Sequence, residues 1–497
     1  MKSENENKLR EAFIEAINAE YPAEEYPELR AIKTRRAKTG RRTVAALLCA
    51  VFTVSFIAGC ATGATVTDKK WSEKTSEPSS EAAVSSGAID EPDPLAPLMT
   101  AEECIAAYGS DCDTDTVKDG YEYYLGSALV LLPADERANG GSSRTLLKRS
   151  LEDGHVEAAC RREGCKHGED ENCPFRALAG AEFEKIYFLV TDEWIYFQYS
   201  DPAGKEEPKT YLYRYSEETD VCEKITEQPA DECGKLLALH KGELYFLRTI
   251  EPMDNTADTD AYLDRYDPET DRMTELFCCG QTMQQYIMGR YNSTNEPYFI
   301  GIDESDRVWV NNYHRNGKWG EIDDFTLDLV YYDLKTGQKT VVLDEYLLGG
   351  QPAYNGIVHG SYTFTSDALL LHYYDAVAGT DQVIDSYVGQ DFYVVGNTVF
   401  YTPYQEETDK KTAMYGFCGG HRLTAGVIRE YHLDTGESID HAIDPDLSVF
   451  DSDSLYYRGR FYFSDCCLYD SKKHIVKKRY QSVAVELESG RWEEWKQ

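Results

Sequence analysis

One phrase returns seven times between residues 146 and 495: a strand, a short turn and another strand. It reads LLKRSLEDGHVEAA around Ser150, YLYRYSEETDVCEKI around Ser216 and YLDRYDPETDRMTEL around Asp267. It continues as LVYYDLKTGQKTVVL (Asp333), LLHYYDAVAGTDQVI (Asp375), IREYHLDTGESIDHA (His432) and SVAVELESGRWEEW (Glu486). The named residues share one column, with separations of 66, 51, 66, 42, 57 and 54 residues. Self-similarity at about 40–50 residues per unit, with several strands in each, is the signature of a β-propeller. A blade cannot bury both faces alone, so neighbours must stack. The fold expected is therefore all-β, a propeller over residues 101–497. Seven phrases predict seven blades, with six or eight as alternatives. The turn D-x-x-T-G/D joins the outer two strands of a blade, and the aromatic runs GELYFL, GNTVFY and GRFYFS are inner strands. YEYYLGSALVLLP (121–133) opens the first blade or closes the ring beside the last. A pair of β-sandwiches or a β-solenoid is the competing architecture.

Ahead of the repeats, Thr43–Thr67 is uncharged and mostly apolar. A bilayer core takes about 20 apolar residues as a helix, which Thr43–Thr62 supplies. Arg30, Lys33, Arg35, Arg36, Lys38, Arg41 and Arg42 crowd its N-terminal side. The positive-inside rule then puts residues 1–42 in the cytoplasm and the C-terminal part outside. The N-terminal segment opens with a capping-box pattern at Ser3 and Glu6, and Leu9, Phe13, Ile14, Ile17 and Tyr21 fall near one helical face. Residues 68–100 are rich in Ser, Glu, Ala and Pro and predict a disordered tether.

Composition narrows the partners. The formal charge is −37, from 88 Asp plus Glu against 51 Lys plus Arg. Nucleic acid needs a basic footprint, so none is expected as a partner. Tyrosine is abundant at 37 residues, which favours strands. Of 14 cysteines, all but Cys49 and Cys60 fall beyond the apolar run. In an oxidising space they suggest disulfides, and Cys104/Cys112 and Cys222/Cys233 lie close enough to close short loops. Spacing leaves the connectivity open.

Three resemblances sharpen these readings. Phe56-Ile57-Ala58-Gly59-Cys60, small residues before a cysteine after an apolar run, resembles the lipobox of bacterial lipoproteins. That resemblance implies cleavage before Cys60 and lipidation of it, although forty residues are a long lead for a signal peptide. An uncleaved single span is the other reading. The string KLREAFIEAINAEYP, with the basic stretch and span after it, looks like the cytoplasmic start of membrane-anchored anti-sigma-type regulators of Gram-positive bacteria. The repeats, with the Cys/His insert below, resemble uncharacterised bacterial surface lipoproteins with TolB-like propellers, which implies a surface-anchored propeller of unknown ligand.

Two stretches could hold a metal. In CRREGCKHGEDENC, Cys160, Cys165, His167 and Cys173 put three thiolates and an imidazole into one short loop, a set that suits tetrahedral zinc. A disulfide between two of the three cysteines, with His167 on the surface, is the alternative. In DCDTDTVKDGYE, Asp111, Asp113, Asp115, Asp119 and Glu122 stand at positions 1, 3, 5, 9 and 12 of a calcium loop, with the Val117 carbonyl at position 7. Thr116 replaces the turn glycine there and Lys118 is out of character, so an acidic solvated turn is the stronger reading.

Nothing in the sequence announces catalysis: G-x-S-x-G, H-E-x-x-H, a phosphate-cradling loop and a Rossmann fingerprint are all missing. His240, His314, His359, His372 and His421 fall within the repeats without a recognisable nucleophile. Cys418-Gly419-Gly420-His421 and the pairs Cys278-Cys279 and Cys466-Cys467 read as ordinary strand or loop residues. The function expected is a non-enzymatic, membrane-anchored, extracytoplasmic module that binds a protein, peptide or glycan. The alternatives are a single-span sensor or anti-sigma-type regulator, and a propeller enzyme acting on surface glycans.

Overall fold

Each of the seven phrases folds as an antiparallel hairpin. The residue four places after each column position lies in the left-handed region: Gly154, Asp220, Asp271, Gly337, Gly379, Gly436 and Gly490, with φ between 52° and 72°. The column side chain holds the turn where it can. Asp333 accepts from the backbone N–H of Lys335 and Thr336 and from the Thr336 hydroxyl, at 3.1, 2.7 and 2.8 Å. Asp375 accepts from Val377 and Ala378, and Ser150 from Glu152 and Asp153. These are the Asx- and ST-turns that Asp and Ser make locally.

A computed structural model describes residues 95–495, apart from 113–114, 132–143, 168–169, 182–185, 202–207, 230–233, 250–258, 288–289, 296, 316–324, 344–349, 363–368, 405–425, 448, 450–453, 465 and 471–474. Residues 1–42, the apolar run with Cys49 and Cys60, and most of the expected tether lie outside the described residues, as do Asp113, Cys233, Trp319, Cys418 and His421. No helix among the described residues is long and apolar enough to cross a membrane. Two compact units divide the chain. The smaller takes Met1–Ala88, Gln285–Ser293 and Arg315–Phe325, and only strand ends are described in it. The larger carries the propeller.

Within the larger unit, successive sheets run as antiparallel meanders. The first is Val117–Lys118, Tyr121–Ser127, Arg144–Ser150 and Val156–Ala158; the second runs from Ile186–Val190 to Val221–Pro229. The third has five strands beginning at Lys235–His240, and the fourth runs from Tyr298–Ile302 to Lys339–Leu343. The fifth has seven strands, from Gly350–Ala353 to Ser438–Ala442. The sixth joins Ser454–Tyr457, Arg460–Ser464, Ser482–Glu486 and Trp492–Glu494, with a two-stranded ribbon inserted. The expected seven separate blades are thus corrected: five sheets of four or five strands stand alone, and the phrases at Asp375 and His432 share one sheet. The cause is Thr380–Val395, a strand of 16 residues. It pairs with Leu369–Asp375 through its first part and with Thr398–Pro403 on both sides of a register break between Val388 and Tyr393.

Apolar side chains fill the space between successive sheets. Tyr123 and Leu146 of the first meet Ile186, Ile195 and Phe197 of the second; Leu189 and Leu212 meet Leu236 and Phe246 of the third. Tyr245 and Leu263 meet Val308 and Val330 of the fourth, and Trp309 and Leu329 meet Ile357 of the fifth. The two halves of the seven-stranded sheet cluster likewise, Val358 and Leu371 with Val394, Val399 and Tyr401. Phe400 and Ile428 meet Tyr456, Phe461 and Val485 of the sixth. Tyr462 and Ala484 of the sixth meet Leu151 of the first, so the series closes on itself. Alternate residues of each strand serve the two faces, which is why neighbours such as Tyr245 and Phe246 belong to different interfaces.

Two local readings are corrected. Residues 95–100, inside the expected tether, are packed: Leu95 and Leu98 lie beside Tyr462 and Trp495, and the Ala96 and Met99 N–H groups donate to Glu486 and to the Arg458 carbonyl. A helix, α1 (Ala101–Tyr108), follows in a chain read as all strands beyond residue 100. Thr100 and Glu103 form its capping box and Gly109 ends it. Cys104 faces inward, where its thiol donates to the Ser110 carbonyl at 3.1 Å.

Candidate metal centre

The loop that leaves the first sheet after Val156–Ala158 is built from tight turns. Gly164 and His167 are left-handed, with φ of 73° and 61°. The N–H groups of Cys165, Asp170 and Cys173 donate to the carbonyls of Arg162, His167 and Asp170, at 3.2, 3.1 and 3.0 Å. The Asp170 carboxylate accepts from the backbone of Lys166 and Asn172, at 2.8 and 2.9 Å. This winding brings together the four residues that the spacing singled out. The sulfurs of Cys160, Cys165 and Cys173 and a ring nitrogen of His167 all lie within 4.8 Å of one another.

The cluster sits over the core shared by the first two sheets. Cys160 and Cys173 are buried, and Phe175 and Leu178 are fully covered. Phe175 meets Phe197 and Tyr215 edge-on, with ring centroids at 5.1 and 5.2 Å. Arg162 straps the loop from outside: it donates to the Asn172 carbonyl at 2.6 Å and to Asp220, the left-handed turn residue of the second sheet, at 3.0 Å.

The donor set fits zinc. Cys160, Cys165 and Cys173 are thiols, with no disulfide among them. The Cys160 thiol is pushed up to about 12 by its hydrogen bond with Cys173 and by burial, and the His167 bond offsets this only in part. Burial also raises Cys165. A bound cation would draw thiols to thiolates with release of protons. The backbone N–H of His167 donates to the Cys165 sulfur, at 3.3 Å. Nδ1 of His167 is buried without a hydrogen-bond partner, a condition that a bond to metal would relieve. With four protein ligands, the coordination would be closed, as in structural sites.

Among the described residues, Asp111, Asp115, Asp119 and Glu122 form no group of converging donor atoms. Asp119 and Gly120, with φ of 53° and 78°, make a two-residue hairpin turn in which Lys118 faces Tyr121, the tight geometry such strands favour. Glu122 takes Arg149, with Nη2 at 2.5 Å, and Asp111 takes Arg458 at 3.2 Å. Asp115 accepts the Val190 N–H through its carbonyl at 2.6 Å. Distant arginines have claimed the carboxylates of Glu122 and Asp111.

A second convergence escaped the sequence reading. His359, His372 and Asp381 also bring three donor atoms within 4.8 Å. Both histidines were noted singly. Their union depends on the pairing of His359 with His372 across neighbouring strands, which spacing along the chain does not reveal.

No family model matches this sequence, and no curated protein matches it. Solved structures are similar at the level of the chain path. TolB from Acinetobacter baumannii is 10% identical, covering 69% of this chain and 68% of its own, with a TM-score of 0.32. The β-propeller domain of the Trilobed protease from Pyrococcus furiosus is 10% identical, over 78% of this chain and 95% of its own, with a TM-score of 0.41. The acylaminoacyl peptidase of Pyrococcus horikoshii is 11% identical, over 78% of this chain and 52% of its own, with a TM-score of 0.40.

Proposed function

We propose that this chain is a membrane-anchored, extracytoplasmic propeller that binds a protein, peptide or glycan without transforming it, and that its 160–173 loop holds a structural zinc ion. The observation that carries the reading is the convergence of Cys160, Cys165, His167 and Cys173 within 4.8 Å. Four protein ligands leave no position for a substrate, so this metal serves the scaffold. It would hold an irregular loop of small apolar content against Phe175 and its aromatic neighbours. Support for the propeller comes from the seven turns of one geometry and from the apolar packing between successive sheets. Such a ring presents its inter-strand loops at two ends, where propellers of any function place their ligands.

Anchoring rests on the run Thr43–Thr67 and on Cys60 within it. One acyl chain binds a membrane only reversibly, so a lipoprotein would carry more than one. Mass spectrometry of the mature N-terminus from the native membrane fraction tests this. An acylated Cys60 as first residue supports an external lipoprotein. A chain that starts at Met1 overturns lipid anchoring and favours the single-span sensor, with residues 1–42 inside.

A further inference from the structure

In the seven-stranded sheet, two imidazoles meet on one carboxylate. His359 lies on Gly356–Tyr362, His372 on Leu369–Asp375 and Asp381 on Thr380–Val395. His359 Nε2 is 3.0 Å from Oδ1 of Asp381, and His372 Nδ1 is 3.0 Å from Oδ2. The two rings stack, with centroids 4.9 Å apart and planes 18° from parallel. Side-chain exposure rises in order, 1% for His359, 14% for His372 and 29% for Asp381, so the cluster opens to solvent on its carboxylate side. We propose that His359, His372 and Asp381 bind a divalent transition-metal ion of the zinc or cobalt class, with a coordination position left for water or a ligand oxygen.

Three features carry the assignment. First, bonds of about 2.0–2.2 Å to a tetrahedral ion put ligand atoms roughly 3.3 Å apart. The observed N···O separations need only a small opening to admit one. Second, Ser361 Oγ lies 2.8 Å from His372 Nε2. A ligating imidazole usually has its other nitrogen held in this way, which fixes the tautomer and the ring orientation. Third, two imidazoles and a carboxylate with an open position suit zinc or another borderline ion better than calcium or magnesium, which take oxygen donors. The order Ser361–His372–Asp381 also spells a hydrolytic relay. A relay has no use for a second imidazole on the same carboxylate, whereas a metal site requires it.

The test uses the full-length chain in detergent, stripped with a chelator and titrated with Co²⁺, in a background where Cys165 and Cys173 are replaced by serine. This background should still bind one equivalent of cobalt, without sulfur-to-metal absorption. Asp381→Asn should abolish that equivalent, and Ser361→Ala should weaken it about 10-fold. Circular dichroism checks folding, and His372→Asn supplies the same readout if Asp381→Asn does not fold. No bound cobalt in the serine background, binding unchanged by Asp381→Asn, or covalent capture of Ser361 by a fluorophosphonate with no metal bound would each overturn the proposal.

Discussion

Lys148 is a buried cation in the first sheet, 1% exposed, and its Nζ lies 2.8 Å from Glu217 and 3.2 Å from Glu157. Tyr123 donates to the same Glu217 carboxylate at 2.5 Å. Burial works to raise the pKa of Glu217, but the Lys148 and Tyr123 hydrogen bonds outweigh it and hold the carboxyl below its ordinary value. Removing one member of a buried pair strands the other charge. Lys148→Met is therefore expected to cost about 3–5 kcal/mol in urea unfolding, and adding Glu217→Gln should recover part of that loss. Equal midpoints for wild type and Lys148→Met would contradict this account of the pair. Asp306 sets a pH dependence. Lys241 and His240 of the third sheet, and then Lys335, hold its carboxyl well below the usual range. A depressed folded pKa gives stability that is present above the unfolded value of about 4 and is lost as pH falls below it. Asp306→Asn should flatten the acid limb of a Tm-against-pH curve and leave its shape near neutrality unchanged.

At the scale of the element, the recurring turn can be tested by paired substitutions. Gly379 and Gly490 have φ of 65° and 66°. A Cβ at Gly379 would meet nothing within 4 Å, whereas one at Gly490 would lie 1.8 Å from the Ala442 carbonyl oxygen of the preceding sheet. Gly379→Ala should cost about 1–2 kcal/mol, the left-handed penalty alone. Gly490→Ala should cost clearly more, because the hairpin must also back away from its neighbour. Similar losses in thermal unfolding would contradict the close approach of those two elements. The turns were legible in the sequence because their chemistry is local: Asp333, Thr336 and Gly337 need only each other. The cysteine–histidine loop was legible for the same reason, since all its ligands fall within 160–173. The partners of the acidic turn at 111–122 were not legible, because Glu122 and Asp111 answer to arginines 27 and 347 residues away. Nor does the composition of Thr380–Val395 mark where one run of strands ends and the next begins. The short helix α1 carried only a Thr100–Glu103 cap, too slight a signal beside a long Ser/Pro-rich stretch.

For the whole molecule, the seam between the first and sixth sheets decides whether the series of sheets stays closed. No strand is exchanged across it among the described residues, so side chains must hold it. Arg149 spans the seam: it pairs with Glu122, reaches Ser482 at 3.4 Å and lies 3.6 Å from the Trp495 ring centroid. Tyr462 donates to the Leu151 carbonyl at 2.6 Å. Arg149→Ala should cost about 2–4 kcal/mol, through a stranded carboxylate and a lost cation–π contact. Hydrogen exchange should quicken first in the strands on either side of the seam. The central claim is that a zinc ion closes the 160–173 loop of a binding propeller. The most direct measurement is the absorption spectrum of the full-length chain after exchange into Co²⁺. The account predicts one thiolate-ligated cobalt per chain, its charge-transfer band lost on Cys173→Ser and displaced by zinc, beside the sulfur-free equivalent at His359, His372 and Asp381. A chain that shows no such band, and whose mass reveals a disulfide among Cys160, Cys165 and Cys173, would contradict it.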